Sequence, residues 1–149
     1  ERRLRDFLGT TDGTVRISSV RTEMQSAMEE SAGIYRSGAT IDSGIEKMAR
    51  LQQQSRRLKL DDRSKTFNTE LVSALELEYM LDLAEVILRS ASQRTESRGA
   101  HQRTDFPERD DERFLAHSLA YRAEDGSTRI EQLPVTVTRW PPGDRVYGR

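Results

Sequence analysis

Hydrophobic positions recur at three- and four-residue steps through three long stretches of this chain. Ile17, Val20, Met24, Ala27 and Met28 follow that spacing and predict a helix over 16–31, after the turn signal GTTDGT (9–14) and ending near Gly33. Ile41, Ile45, Met48, Leu51 and Leu58 predict a second helix over 39–58, with Ser37 or Thr40 as N-cap and Arg56, Arg57 and Lys59 at its negative end. The third helix, over 68–93, carries two adjacent stripes. One is Leu71, Leu75, Tyr79, Leu83 and Val86; the other is Ala74, Leu77, Leu81, Ala84, Leu88 and Ala91, so burial on two sides is expected. Asn68 suits the cap, Glu70 the first turn, and Arg89 and Arg94 the end. Glu78, Asp82 and Glu85 share the remaining face, read most simply as a solvated stripe and otherwise as partners for distant arginines.

Beyond residue 95 the period changes. Asp110 or Asp111 can cap a short turn through Phe114 and Leu115. In HSLAYRAEDGSTRIEQL (117–133) the alternation at Leu119 and Tyr121, the EDGS turn and the return at Thr128 and Ile130 predict a β-hairpin. Val135 and Val137 extend it as an edge strand, with Pro134 interrupting and Pro141–Pro142 ending it. The expected fold is therefore mainly α, a spectrin-like up-down-up antiparallel three-helix bundle over 1–95. A polar loop and β-hairpin tail over 96–149 belong to the same structural domain.

Composition changes this picture in one respect. In 149 residues, Leu, Ile, Val and Phe number 31 and charged residues make up 33%, so a self-sufficient core is lean, and the chain reads as a folded polar domain or an excised part of a bigger one. The net charge of -1, with 21 Arg and 3 Lys scattered among 25 acids, leaves no basic stripe for nucleic acid. Arginine is favoured where carboxylates are held bidentately, although a codon bias accounts for the same excess. Cysteine is absent, which excludes disulfides and Cys-ligated metal. Apolar runs are too short for a membrane span or signal peptide. The opening ERRLRDFL reads as a helix already under way and suggests a fragment.

The chemistry-bearing residues concentrate in ESRGAHQRTDFPERDDERF (96–114). His101 and His117 lack ligand spacing for a metal. Ser97, His101 and Asp105 fall four apart, but the Gly99–Ala100 and Pro107 context offers no oxyanion loop. Glu108, Asp110, Asp111 and Glu112 are interleaved with Arg103, Arg109 and Arg113, which favours ion pairing over acid–base work. Gly33, Gly38 and Gly44 lie at helix ends or inside a helix, without the strand–loop–helix pattern of a dinucleotide site. No catalytic, cofactor-binding or metal-ligating residue is assigned; the stretch reads as an Arg–carboxylate joint at an interface.

The run RTESRGAHQRTDFPERDDERFLAHSLAYR (94–122) resembles the C-terminal domain of the succinate dehydrogenase and fumarate reductase flavoprotein subunits. The pattern is carried by Arg94, Glu96, Ser97, Arg98, Gly99, Ala100, His101, Arg103, Asp105, Pro107, Arg109, Asp110, Asp111 and then His117, Ser118 and Leu119. LDDRSKTFNTEL (60–71) shares the likeness, while MEESAGIYR (28–36), LAYRAEDGSTRIE (119–131) and PPGDRVYG (141–148) look closer to fumarate reductase. The resemblance implies a parent oxidoreductase that interconverts fumarate and succinate at FAD and exchanges electrons with an iron–sulfur subunit and, indirectly, membrane anchor subunits. It would lie peripherally at the cytoplasmic face of the membrane. The flavin and substrate residues of that family lie upstream, so the expectation is an inactive docking domain. Its docking motif is Arg94, Glu96, Ser97, Arg98, Gly99, His101, Arg103, Asp105, Arg109, Asp110 and Asp111, and its partners are the FAD-binding domain and the iron–sulfur subunit. Self-association through an uncovered docking face is a further expectation. The competing readings are a free-standing helical adaptor and the equivalent domain of an L-aspartate oxidase.

Overall fold

The three periodic stretches form three long helices in the computed structural model, which describes residues 2–9 and 13–143. A short helix α1 (Arg2–Gly9) precedes α2 (Ile17–Ala32); strand β1 (Tyr35–Arg36) leads into α3 (Gly38–Ser55), and α4 (Thr69–Gln93) is the longest element. Strand β2 (Gln102–Arg103), helix α5 (Asp111–Phe114) and strands β3 (Ala116–Arg122) and β4 (Thr128–Pro134) complete the order. The turn expected at 9–14 and the likeness at 141–148 fall partly outside the described residues.

Helices α2, α3 and α4 each pack against the other two. Their shared core holds Val20, Met24 and Ala27 from α2, Ile41, Met48 and Leu51 from α3, and Leu77, Leu81 and Leu88 from α4. Small residues permit the closest approach: a Cβ on Gly44 would stand 2.6 Å from Ser31 Cβ and 3.1 Å from Leu88 Cδ2. Gly44 is thus a point of close approach of α3 to α2 and α4, a role its position inside a helical pattern does not announce.

Capping explains where the helices begin. Ser37 and Thr40 form a reciprocal capping box at α3, so the two alternative caps act together, Ser37 as N-cap and Thr40 at N3. Asn68 Oδ1 accepts from Leu71 N at 2.7 Å, while its Nδ2 donates to the carbonyls of Asp62 and Ser64. This grip fixes the 61–68 loop and holds Phe67 at φ 53, a left-handed conformation uncommon outside glycine.

Two expectations about the apolar positions of the long helices are corrected. The second helix ends at Ser55 rather than 58, because Arg57 O accepts from Thr14 N and Val15 N and Lys59 N donates to Val15 O at 2.8 Å. Leu58, expected on the helix face, instead bridges Val15 in parallel and is buried from there. The approach is so tight that a Cβ on Gly13 would lie 2.3 Å from Leu58 O. The second correction concerns α4: only the Ala74–Ala91 stripe is buried, whereas Tyr79 and Leu83 of the other are 55% and 62% exposed.

The acidic face of α4 is not a solvated stripe. Glu78 pairs with Arg3 of α1, Asp82 with Arg122 of β3 at 2.6 Å, and Glu85 with Arg89 at 2.6 Å and with Gln52 of α3. Strands β3 and β4 pair antiparallel from Ala116↔Pro134 to Arg122↔Thr128, with Gly126 at φ 82 in the turn. Strand β4 ends at Pro134; Val135 N still donates to Leu115 O, but Val137 lies exposed outside any strand. A lone two-stranded hairpin is marginal in water, and this one lies against α4.

Gly44→Val should lower unfolding free energy by about 1–3 kcal/mol, the usual result of forcing extra carbons into a packed interface. Urea denaturation read by circular dichroism measures it, with the exposed Leu83→Ala as a control expected to stay within about 0.5 kcal/mol.

Candidate functional site: a buried polar joint

The residues singled out between 94 and 111 converge on one buried carboxylate. Glu96, 0% exposed, accepts from Arg94 Nη1 (2.5 Å), Arg98 Nε (2.9 Å) and Nη2 (3.0 Å), and the backbone N–H of Asp110 (2.9 Å). Burial pushes its carboxyl up, but the bonds from Arg98, Asp110 and Arg94 outweigh that and leave it below the ordinary value. Arg98 is held correspondingly above its usual value, first by its bond to Glu96 and then by Asp111, which it meets at 2.6 Å. Arg94 reaches further, donating to Phe114 O at 2.8 Å and Ala116 O at 2.6 Å while lying over the Phe114 ring. One carboxylate therefore ties the end of α4 to α5 and the start of β3.

A second centre lies beside it. Arg103, 3% exposed, donates through Nη1 to Ala91 O at 3.1 Å and to the carbonyls of Ser92 and Arg94, the orphan acceptors at the end of α4. Its other nitrogens bind Asp105 bidentately at 2.8 Å. Asp105 also accepts from Gly38 N at 2.8 Å, and these bonds, Arg103's first, hold its carboxyl far below the usual range. The start of α3 is thus bound to the loop after α4.

The 96–106 loop is shaped by its own backbone. Arg98 and His101 exchange backbone bonds around Gly99, whose φ of 59 a side chain would strain. Ser97 Oγ donates to Phe106 O at 2.8 Å and accepts from Arg103 N at 2.8 Å. Asp110 caps α5 by accepting from Arg113 N, and Arg109 pairs with Asp111 at 3.2 Å and donates to Gly143 O.

The triad spacing of Ser97, His101 and Asp105 does not become a triad. Ser97 is bound to backbone, Asp105 to Arg103 and Gly38, and His101 to Arg94 O through Nε2 (3.1 Å) and to Arg36 Nη1 through Nδ1 (3.2 Å). Burial, followed by the nearby charges of Arg36, Arg103 and Arg94, pushes the imidazole below its ordinary value, against the raising effect of the Arg94 carbonyl bond. His117 is on the exposed hairpin, and no metal-holding cluster of His, Asp and Glu occurs among the described residues.

Sequence reasoning missed Arg36. Strands β1 and β2 pair in parallel, Tyr35↔Gln102 and Arg36↔Arg103, and Thr104 N donates to Arg36 O at 2.8 Å. Nothing local signals a two-residue bridge between segments 67 positions apart. The glycines near it serve packing. A Cβ at Gly33 would lie 2.6 Å from Glu29 O, and one at Gly38 would lie 3.3 Å from Asp105 Oδ2, so neither opens a cradle for a phosphate. An open cleft of about 340 Å³ elsewhere is lined by Arg16, Arg21, Lys59, Asp61 and Glu70; Lys59 and Asp61 already pair at 2.7 Å, and it includes no joint residue.

Helical packing, a hairpin appendage and a carboxylate-centred joint define a mainly helical domain whose charged and imidazole groups are paired within the chain. The family model described as fumarate reductase flavoprotein C-term matches residues 21–147, and the chain belongs to that family. It is 56% identical to the fumarate reductase flavoprotein subunit of Mycobacterium tuberculosis over 92% of this chain and 24% of that protein. The Escherichia coli subunit is 46% identical over 99% of this chain and 25% of its own length. A solved E. coli quinol fumarate reductase FrdA variant superposes with TM-score 0.91 at 44% identity, covering 98% of this chain and 25% of that one. The chain thus spans about a quarter of the length of the curated relatives it matches. No helix among the described residues is long and apolar enough to cross a membrane.

Glu96→Ala removes the buried carboxylate that Arg94 and Arg98 share and should cost about 3–5 kcal/mol of stability at pH 7, read by urea denaturation. Because Glu96 and Asp105 have lowered values in the fold, the stability they contribute is present above about pH 4.5 and is lost as pH falls below it. Acid titration of Glu96→Gln should show a shallower loss over that range than the unsubstituted chain.

Proposed function

We propose that this chain is the C-terminal helical domain of a fumarate reductase-type flavoprotein subunit, acting as a structural and docking module and inactive alone. The observation that carries this reading is the internal pairing of the motif: Glu96, Arg98, Arg103, Asp105 and His101 all have partners within the chain. A general acid or base needs a reachable proton-transfer partner in a substrate pose, and these groups are engaged in holding α4, α5, β1 and β3 together. The polar loop and hairpin are therefore part of the same domain as the helices.

The parent enzyme interconverts fumarate and succinate through FAD and exchanges electrons with an iron–sulfur subunit, with membrane anchor subunits beyond it, at the cytoplasmic face of the membrane. FAD is assigned to sequence outside this chain: Gly33 and Gly38 are closed by Glu29 O and Asp105 Oδ2, and the glycines do not follow the strand–loop–helix pattern of a dinucleotide site. The docking surface toward the FAD-binding domain includes the exposed stripe of α4 at Val72, Leu83 and Ile87, with Tyr79 on the same face beneath Arg3. The joint sets where that stripe stands relative to α5 and the hairpin.

Purified alone, the 149-residue chain should bind no stoichiometric FAD by visible absorbance and should not reduce fumarate with a reduced viologen. Either activity would refute the assignment of the chemistry to other sequence. In the subunit of full length, Arg98→Ala should reduce folded, flavin-loaded yield at least about tenfold, while turnover per bound flavin changes less than about twofold. Normal yield with turnover abolished would place the joint in the active site.

A further inference from the structure

His101 joins two elements through ring nitrogens with opposite duties. A guanidinium only donates, so Nδ1, 3.2 Å from Arg36 Nη1, has to be the unprotonated acceptor. A carbonyl only accepts, so Nε2, 3.1 Å from Arg94 O, carries the proton. The two contacts together specify the neutral imidazole in its Nε2–H form. We propose that His101 is an acid-sensitive latch: neutral, it fastens the link between α2 and α3 to the loop after α4, and protonated, it releases that link.

The link is held at few points, which is why one contact can govern it. Its ladder has two residue pairs, Tyr35↔Gln102 and Arg36↔Arg103. Thr104 N and Oγ1 donate to Arg36 O, and Arg36 Nε donates back to Gly33 O at 2.8 Å. Protonation at Nδ1 removes the acceptor for Arg36 and sets two cations against each other. The groups around the ring make this worse: Arg36 faces it from the link, Arg94 from the end of α4 and Arg103 from its own loop. The nearby carboxylates are already engaged, Glu96 by Arg94 and Arg98 and Asp105 by Arg103 and Gly38 N. The segment released carries Ile34 and Tyr35, both exposed, so the latch determines where that apolar pair is presented.

The sign follows from linkage. An unfolded or detached His titrates near pH 6.5, and the folded ring lies lower because of its burial and the three arginines. The latched state therefore has its full stability above about pH 6.5 and loses it as pH falls below. Glu96 and Asp105 stay ionised until a lower pH, so the interval from about 6.5 to 4.5 belongs to His101.

Histidine-labelled NMR on the chain tests this directly, because it contains two histidines and His117→Gln assigns the other. At pH 7.5 His101 should show the Nε2–H tautomer and should titrate below pH 6.5. Amide exchange at Thr104, corrected for intrinsic rate, should lose protection as pH falls from 7 to 5, the direction that the lowered His101 value requires, while Leu51 and Leu81 stay protected. His101→Gln offers an acceptor and a donor without titrating, and its Thr104 exchange should be independent of pH in that interval. An Nδ1–H tautomer, a titration at or above pH 6.5, or the same pH response in the variant would overturn the latch. Should the variant fail to fold, the tautomer and titration of the unsubstituted chain decide by themselves.

Discussion

The rest of the structure depends on the ionised carboxylate of Glu96, sealed from solvent and surrounded by Arg94, Arg98 and the amide of Asp110. A charge buried alone would cost several kcal/mol, so the arrangement exists only while all its donors are in place. Arg94 and Arg98 continue outward to Phe114 O, Ala116 O and Asp111. The orientation of α5 and the start of the hairpin are consequences of satisfying one group near the end of α4. Apolar contacts of equal area could match the stability but not the directions, because dispersion and hydrophobic burial do not select an angle.

The lean apolar content makes such devices necessary. The core is one cluster among α2, α3 and α4, with Gly44, Ser31, Ala74, Ala84 and Ala91 allowing close approach. Outside it, polar bonds hold the chain: Arg103 satisfies the last carbonyls of α4, Asp105 binds the amide opening α3, and Asp82 anchors Arg122 of the hairpin. Where neither core nor polar pairing reaches, apolar surface remains open, as at Val72, Leu83 and Ile87. That open stripe and the paired joint belong to one design, in which internal polar order presents an external apolar face. A domain in a flavoprotein family can thus carry a dense set of histidine, arginine and carboxylate groups, of which Glu96, Arg98, His101, Arg103 and Asp105 all find partners within the chain.

The existence and type of the long helices were legible from period alone, because a face buried along a helix has to repeat every 3.6 residues. Asn68 was legible as a cap, and Ser37 and Asp110 each as one of two candidates, because capping is decided within three or four residues. The hairpin and its turn followed from alternation around EDGS. Within the joint, the preference for ion pairing over catalysis was readable from the interleaving of opposite charges, and the motif carried a recognisable family pattern.

What required the tertiary structure was every choice between equivalent local options. Two apolar stripes on α4 are alike in sequence, and only the positions of α2 and α3 decide that Leu77 is buried and Leu83 exposed. Leu58 fits a helical face by spacing, yet the arrival of Val15 draws it into a bridge and ends α3 early. The pairing of Arg36 with His101, and of Gly38 with Asp105, joins segments more than sixty residues apart. Sequence by itself determined the periodic elements and the chemistry available, since both are properties of neighbouring residues. The tertiary structure decided which charges meet, because a pairing across the fold depends on distances that no local pattern encodes.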